Sequence, residues 1–181
     1  MLFRSRVLSI LCAAALLAGA EGCTASVETP RTTPIAVESL PDAPPPEIPD
    51  ALRFTGKTLD GVAFDAKTMA GKPAILWFWA PWCATCAAEA QSISDLADEY
   101  RGQIGILGVA GLGDNKAMHQ FVSDLDVGAV PHLDDEAGAI WKRFKITQQS
   151  TYVFLDAAGA VVKVGYLDDL QLTAEVKSLV A

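Results

Sequence analysis

Hydrophobic and polar positions divide the chain into three unequal stretches. Val7 to Ala18 is an uninterrupted apolar run behind Arg4 and Arg6, with no amphipathic periodicity. Thr24 to Asp50 is rich in proline, threonine and acidic residues, with Pro44-Pro45-Pro46 near its end. From about Leu52 onward, short apolar runs alternate with segments of helical spacing. Leu52-Arg53-Phe54-Thr55 and Val62-Ala63-Phe64 predict two short strands around a turn at Asp60-Gly61. Ala74 to Trp79 is continuously apolar, as a central strand buried on both faces requires. A helix is predicted from Cys83 to Tyr100, a second buried strand from Ile104 to Val109, and a helix from Asn115 to Leu125 with Met118 and Phe121 on one face. Glu136 to Phe144 reads as a short helix, and Leu170 to Val180 as a closing one. Tyr152–Leu155 and Val161–Val164 flank a turn at Asp156-Ala157-Ala158-Gly159 and predict a hairpin. Strands alternating with helices predict an α/β sandwich on a mixed sheet.

The first apolar run is too short to span a membrane comfortably, and its basic start makes residues 1–23 a signal peptide. Two ends fit it. Ala18-Gly19-Ala20 suits ordinary signal peptidase. Ala20-Glu21-Gly22-Cys23 is lipobox-like, though that pattern favours Leu and a small residue where Ala20 and Glu21 stand. Lipid attachment at Cys23 is the preferred reading, because ordinary cleavage would strand it as an odd thiol in an oxidising compartment. Residues 24–50 cannot bury enough apolar surface to order themselves, and their prolines favour a semi-stiff linker. The folded domain is expected over 51–181. The protein is thus read as exported, either a cell-envelope lipoprotein held to the membrane by its lipid anchor or a secreted protein.

With 181 residues the chain suits one domain with appendages. Its net charge of −8 offers no basic footprint, so no nucleic-acid partner is expected. Of the four cysteines, Cys12 leaves with the signal and Cys23 is acylated or stranded, which leaves Cys83 and Cys86 in the folded part. They lie in Trp79-Ala80-Pro81-Trp82-Cys83-Ala84-Thr85-Cys86, directly after the buried strand and at the start of a helix. A helix N-terminus favours negative charge and lowers a thiol's pKa. The thiolate is the attacking species in disulfide exchange. Cys83 is therefore the candidate nucleophile and Cys86 the resolving thiol. A structural zinc would need four ligands. The two histidines, His119 and His132, lie far downstream in an amphipathic helix and a Pro-His loop. No metal and no cofactor are expected. Asp114, Asp134 and Asp135 read as loop and cap residues.

These motifs in this context resemble the thioredoxin fold, a three-layer sandwich, and within it the extracytoplasmic TlpA/ResA/DsbE-type branch, close to the secreted DsbE/DsbF proteins. The likeness rests on Gly71-Lys72-Pro73-Ala74, Leu76 to Cys83, Cys86, Glu89, Phe121-Val122, Gly138-Ala139-Ile140-Trp141 and Tyr152-Val153-Phe154. It implies an exposed nucleophile at Cys83, a buried resolving thiol at Cys86, and Trp82 packed beside the disulfide. Glu89 matches a carboxylate this branch often carries after the second cysteine, where it would accept a proton or tune the thiols. By position alone it is equally an ordinary solvated helix charge. Two departures stand out. Trp77 occupies the place of the buried aspartate of cytoplasmic thioredoxins. Ser150 occupies the place of a cis-proline beside the disulfide. A cis bond before serine costs roughly 3 kcal/mol more than trans. The Gln149–Ser150 bond is therefore expected to be trans, with weaker gripping of substrate, and Ser150→Pro is expected to raise exchange.

The function that follows is an extracytoplasmic thiol–disulfide oxidoreductase, leaning to oxidase. Its partners would be exported proteins with thiols or disulfides and a membrane or envelope redox partner; a monomer is expected. One alternative is a thiol peroxidase of the redoxin kind, but that chemistry favours threonine three before the nucleophile and a nearby arginine. Ala80 stands in that place, and the motif has no arginine beside it. The other alternative is a Cu(I)-binding or metallochaperone module, since two thiols can hold Cu(I).

Overall fold

The computed structural model describes residues 48–181. The signal peptide, Cys23 and the linker up to residue 47 lie outside the described residues. A 3-10 turn over Asp50–Leu52 opens the folded part, followed by β1 (Thr55–Lys57), β2 (Ala63–Asp65) and a second 3-10 turn over Ala66–Met69. Then come β3 (Ala74–Trp79), α1 (Ala84–Glu99), β4 (Gly105–Ala110), α2 (Asn115–Asp124), β5 (His132–Asp134), α3 (Ala139–Arg143), β6 (Thr151–Leu155), β7 (Val161–Gly165) and α4 (Asp169–Val180). β1 and β2 form an antiparallel pair. The remaining strands make one sheet in the order β5-β4-β3-β6-β7. β3 is parallel to β4 and antiparallel to β6, which makes the sheet mixed.

Every residue of β3 is buried, because the strand is paired on both edges and covered on both faces. Alternation along the strand splits its side chains between two cores. Ile75, Trp77 and Trp79 join Ala90, Ile93 and Leu96 of α1, Met118 and Phe121 of α2, and Leu172 and Val176 of α4. Leu76 and Phe78 face the other way, against Leu52, Met69 and the α3 residues Ile140 and Trp141. Helices on both faces of a mixed sheet give the three-layer sandwich.

Several boundaries differ from expectation. Leu52 is the end of a 3-10 turn rather than part of a strand, with its N–H bonded to Pro49 O at 2.9 Å. The folded part thus already includes Pro49 and Asp50, inside the expected linker. The helix expected over Glu136–Phe144 starts only at Ala139. Gly138 holds a left-handed φ of 69°, and Asp135 accepts the N–H groups of Ile140 and Trp141 at 2.9 and 2.8 Å, so the chain turns before it winds.

The largest correction concerns His132, expected in a loop and found buried as the first residue of β5. Trp79 Nε1–H donates to His132 Nδ1 at 3.1 Å, so the ring proton sits on Nε2 and is donated to Val127 O at 2.9 Å. Trp79 also stacks on Phe121 with centroids 4.3 Å apart. Gly108 is required here by close approach: a Cβ would run into the His132 ring and the Trp79 indole nitrogen. Both ring nitrogens are satisfied only in the neutral form, and burial lowers the His132 pKa from 6.5 to about 4. The unfolded chain therefore binds this proton first. The stability is fully present above pH 6.5 and is lost as pH falls towards 4, roughly 3 kcal/mol in all. Urea unfolding at pH 7 and pH 4.5 should show this loss in the native protein, and His132→Gln should flatten it. An equal acid slope in both proteins would refute the assignment.

Candidate functional site

β3 delivers the chain to the site. After Trp79 the strand ends, Ala80-Pro81-Trp82 turns, and Cys83 becomes the N-cap of α1. Its N–H bonds back to Ala80 O at 3.1 Å and its carbonyl accepts the first helical N–H, from Ala87, at 3.0 Å. Its Sγ accepts the N–H of Cys86 at 3.0 Å, so sulfur takes the place that a capping oxygen holds elsewhere. Cys83 and Cys86 are joined as a disulfide with Cα atoms 5.3 Å apart. The helix N-terminus and the Cys86 N–H would both stabilise a thiolate at Cys83 once the bond opens.

Cys83 is 4 % exposed and Cys86 0 %, so the order matches the expected roles but Cys83 is not open to solvent in the oxidised form. The closed disulfide and the N–H···S contact draw its side chain down onto the helix start. Trp82, expected to pack beside the disulfide, is 61 % exposed. Its Nε1–H donates to Leu112 O at 2.7 Å, bridging the active-site turn to the β4–α2 loop. A groove of about 610 Å³ lies beside this bridge, lined by Pro81, Trp82, Gly113, Ala117 and Phe121.

Glu89 is not a solvated helix charge. It sits one turn beyond Cys86 on the inner face of α1 and is 3 % exposed. Its Oε2 accepts Trp77 Nε1–H at 3.3 Å and the Ser150 hydroxyl. Trp77 and Tyr152 are directly paired across β3 and β6, which brings both toward this carboxyl. The Tyr152 hydroxyl faces it without reaching hydrogen-bond geometry; Tyr152 OH and Glu89 Oε1 are the buried side-chain polar atoms left unpartnered among the described residues. Burial raises the Glu89 pKa above its usual 4.5, and the Ser150 and Trp77 donors and the nearby Tyr152 hydroxyl oppose that rise. Burial and the nearby carboxyl likewise raise the Tyr152 pKa. In the sequence Trp77 stands out as a departure and Tyr152 as a strand residue within a family-like motif, and neither is marked as a partner of Glu89. Their joint orientation toward Glu89 comes from strand register, which no local motif carries.

Ser150 is 3 % exposed and precedes β6. No cis peptide bond occurs among the described residues, so Gln149–Ser150 is trans, and Ser150 takes a left-handed φ of 58°. Proline, fixed near −65°, cannot take this backbone. Ser150→Pro would rebuild the loop and delete the Glu89 contact together, which removes the simple ground for expecting it to raise exchange.

The remaining named residues are scaffolding. Asp114 caps α2 through Ala117 N–H at 2.8 Å. Asp134 accepts from Asn115 Nδ2 at 2.8 Å and Glu136 N–H at 3.1 Å. His119 lies on α2 with Nε2 3.0 Å from Leu59 O. Among the described residues no group of three or more His, Cys, Asp and Glu side chains could hold a metal ion.

A family model for the AhpC/TSA family matches residues 48–164. The chain belongs to the AhpC/TSA family. It is 41% identical over 110 residues to the soluble secreted antigen MPT53 of Mycobacterium tuberculosis, a match covering 61% of this chain and 62% of that protein. It thus spans under two thirds of that relative's length. It is 26% identical to the thiol-disulfide oxidoreductase ResA of Oceanobacillus iheyensis, across 93% of this chain and 88% of that protein. Among solved structures, MTB dsbF in mixed oxidized and reduced forms matches with 41% identity and a TM-score of 0.69, covering 74% of this chain and 99% of that one. A secreted Mycobacterium tuberculosis disulfide oxidoreductase homologous to E. coli DsbE matches with 36% identity and a TM-score of 0.66, covering 71% of this chain and 98% of that one. The likeness to ResA-, DsbE- and DsbF-type proteins is therefore established, and with it the thioredoxin-like fold.

The capping geometry makes a direct prediction for the thiols. In the reduced protein Cys83 should be alkylated first, with an apparent pKa below the ordinary thiol value of about 8.5. Mass mapping after a brief iodoacetamide pulse across a pH series checks this; faster labelling of Cys86 would overturn it.

Proposed function

We propose that the chain is an extracytoplasmic thiol–disulfide oxidoreductase that exchanges disulfides with exported proteins, with a slight lean to the oxidising direction. The observation that carries this is the Cys83–Cys86 disulfide at the N-terminus of α1, with Cys83 Sγ accepting the Cys86 N–H. The likeness to secreted and DsbE-type proteins supports the compartment and the chemistry.

In the oxidising direction a partner thiolate attacks Cys83 Sγ. The Cys83–Cys86 bond breaks, and its electron pair leaves on Cys86 Sγ. A second partner thiolate then attacks the partner sulfur of the mixed disulfide and releases Cys83 as thiolate. The partner loses two electrons and gains a disulfide, and the chain ends as a dithiol. Glu89, buried one turn beyond Cys86, is the proposed site that takes or returns the proton of Cys86, and exposed Trp82 contributes to partner docking. An envelope redox partner must reoxidise the dithiol.

A peroxidase reading fits the residues less well. The arginines of the described part are engaged elsewhere: Arg53 with Ile48 O, Arg101 with Asp98, Arg143 with Asp50. Anchoring through a lipid on Cys23, ahead of a spacer over 24–47, is the proposed way the domain is held at the membrane.

Two experiments test these statements. With a reduced, unfolded disulfide protein as substrate, the native chain should oxidise it faster than it consumes peroxide. Cys83→Ser should lose at least about a hundredfold in rate, and Cys86→Ser should accumulate mixed disulfides on non-reducing gels. Full turnover by Cys86→Ser, or Cu(I) binding by the dithiol without any exchange, would refute the oxidoreductase reading. Cys23→Ala should move the native-host protein from membrane to soluble fractions; a mature N-terminus at Glu21 would refute the anchor.

A further inference from the structure

The loop that enters β6 reaches the same buried carboxyl as the strand that leads to the disulfide. Thr151 pairs with Phe78, so Ser150 stands level with the end of β3, where the chain runs into Ala80 and Cys83. Serine here holds a left-handed φ of 58°, a conformation that non-glycine residues seldom adopt. That backbone aims the hydroxyl at Glu89 Oε2. Trp77 Nε1–H reaches the same oxygen. Both donors therefore fall on Oε2, and Oε1 is left without a partner inside the fold. Cys86 and Glu89 are three residues apart on α1, the spacing that places side chains on one helix face, and both are buried.

We propose that Ser150 is a positioning residue for exchange: its hydroxyl holds Glu89 by Oε2 and leaves Oε1 as the atom that receives the Cys86 proton. This rests on the oxidoreductase reading above. The step concerned is the reoxidation of the dithiol by a disulfide-bearing envelope partner: once Cys83 has formed a mixed disulfide with that partner, Cys86 Sγ–H gives its proton to Oε1. The resulting thiolate attacks Cys83 Sγ of a mixed disulfide, and the bond to the partner breaks with the electron pair leaving on the partner's sulfur. Without the Ser150 donor, burial acts on Glu89 with less opposition. Other groups also face the carboxyl. Asp169 at the start of α4 disfavours its charge, while Tyr152 of β6 stands beside it with Tyr166 beyond. The two thiols lie in the first turn of α1. None of these changes when Ser150 is altered, so the serine's share can be isolated.

Two variants separate the hydroxyl from the backbone. Ser150→Ala deletes the hydroxyl and keeps the left-handed demand; Ser150→Gly deletes it and relieves that demand. The first readout is the carboxyl carbon-13 titration of Glu89 in the oxidised protein, assigned by its disappearance in Glu89→Gln. The second is the pH profile of exchange. Both variants should raise the Glu89 midpoint by about one pH unit or more, the scale of one hydrogen bond to a charged group. The acid limb of the exchange profile should move alkaline by the same amount. In a Glu89→Gln background, Ser150→Ala should leave the pH profile of exchange where it is. An unchanged midpoint in both variants overturns the proposal. A shift in Ser150→Ala alone also overturns it, by assigning the effect to the backbone. If the native protein does not exchange at all, the oxidoreductase reading fails, while the titration still judges Ser150.

Discussion

The double burial of β3 is the constraint on which the rest depends. A strand paired on both edges and covered on both faces cannot slip by one residue without turning its whole apolar set to the wrong core. Ile75, Trp77 and Trp79 are therefore committed to the face of α1, α2 and α4, and Leu76 and Phe78 to the face of α3. Because the register is rigid, the point at which β3 runs out is rigid too. Cys83 is placed there, at the end of one element and the beginning of the next. Its sulfur meets the Cys86 N–H in the first turn of α1 as a result of where the strand stops.

The same constraint builds the buried polar cluster. Trp77 and Tyr152 lie opposite one another across β3 and β6, on the face that α1 covers. Glu89 comes down from α1 between them, and Ser150 closes the group from the loop before β6. A carboxyl so enclosed resists ionisation unless donors offset its desolvation. Two donors do so on one oxygen and leave the other unmatched. The Trp79–His132–Val127 chain is the contrast: both ring nitrogens are satisfied, the imidazole is held neutral, and the group serves packing.

The access side of the site is set by a different element. The β4–α2 loop accepts the Trp82 indole N–H through Leu112 O, and Leu112 itself takes a positive φ with its side chain half exposed. An apolar Trp82–Leu112 rim therefore borders the disulfide, while the sulfurs themselves are covered.

Much of this is legible in the amino-acid sequence. A six-residue apolar run followed by Cys-x-x-Cys and a helical pattern specifies a strand, a redox pair and a capped helix, because those signals are local and periodic. The core helices α1, α2 and α4 lie within a residue or two of expectation for the same reason. The three-residue strand β5 is not legible, since so short a segment carries no period, and its pairing with β4 comes from the neighbour. Nor can position alone decide whether Glu89 is solvated or buried, whether Trp82 packs or projects, or what backbone replaces the proline at Ser150. Those outcomes depend on side chains that meet only when the sheet assembles; Ser150 and Glu89 are 61 residues apart in sequence. Local pattern determined which elements form and where the sulfur chemistry sits. Tertiary packing alone decided which polar atoms share a dry cavity, because desolvation and hydrogen bonding are properties of the assembled surroundings.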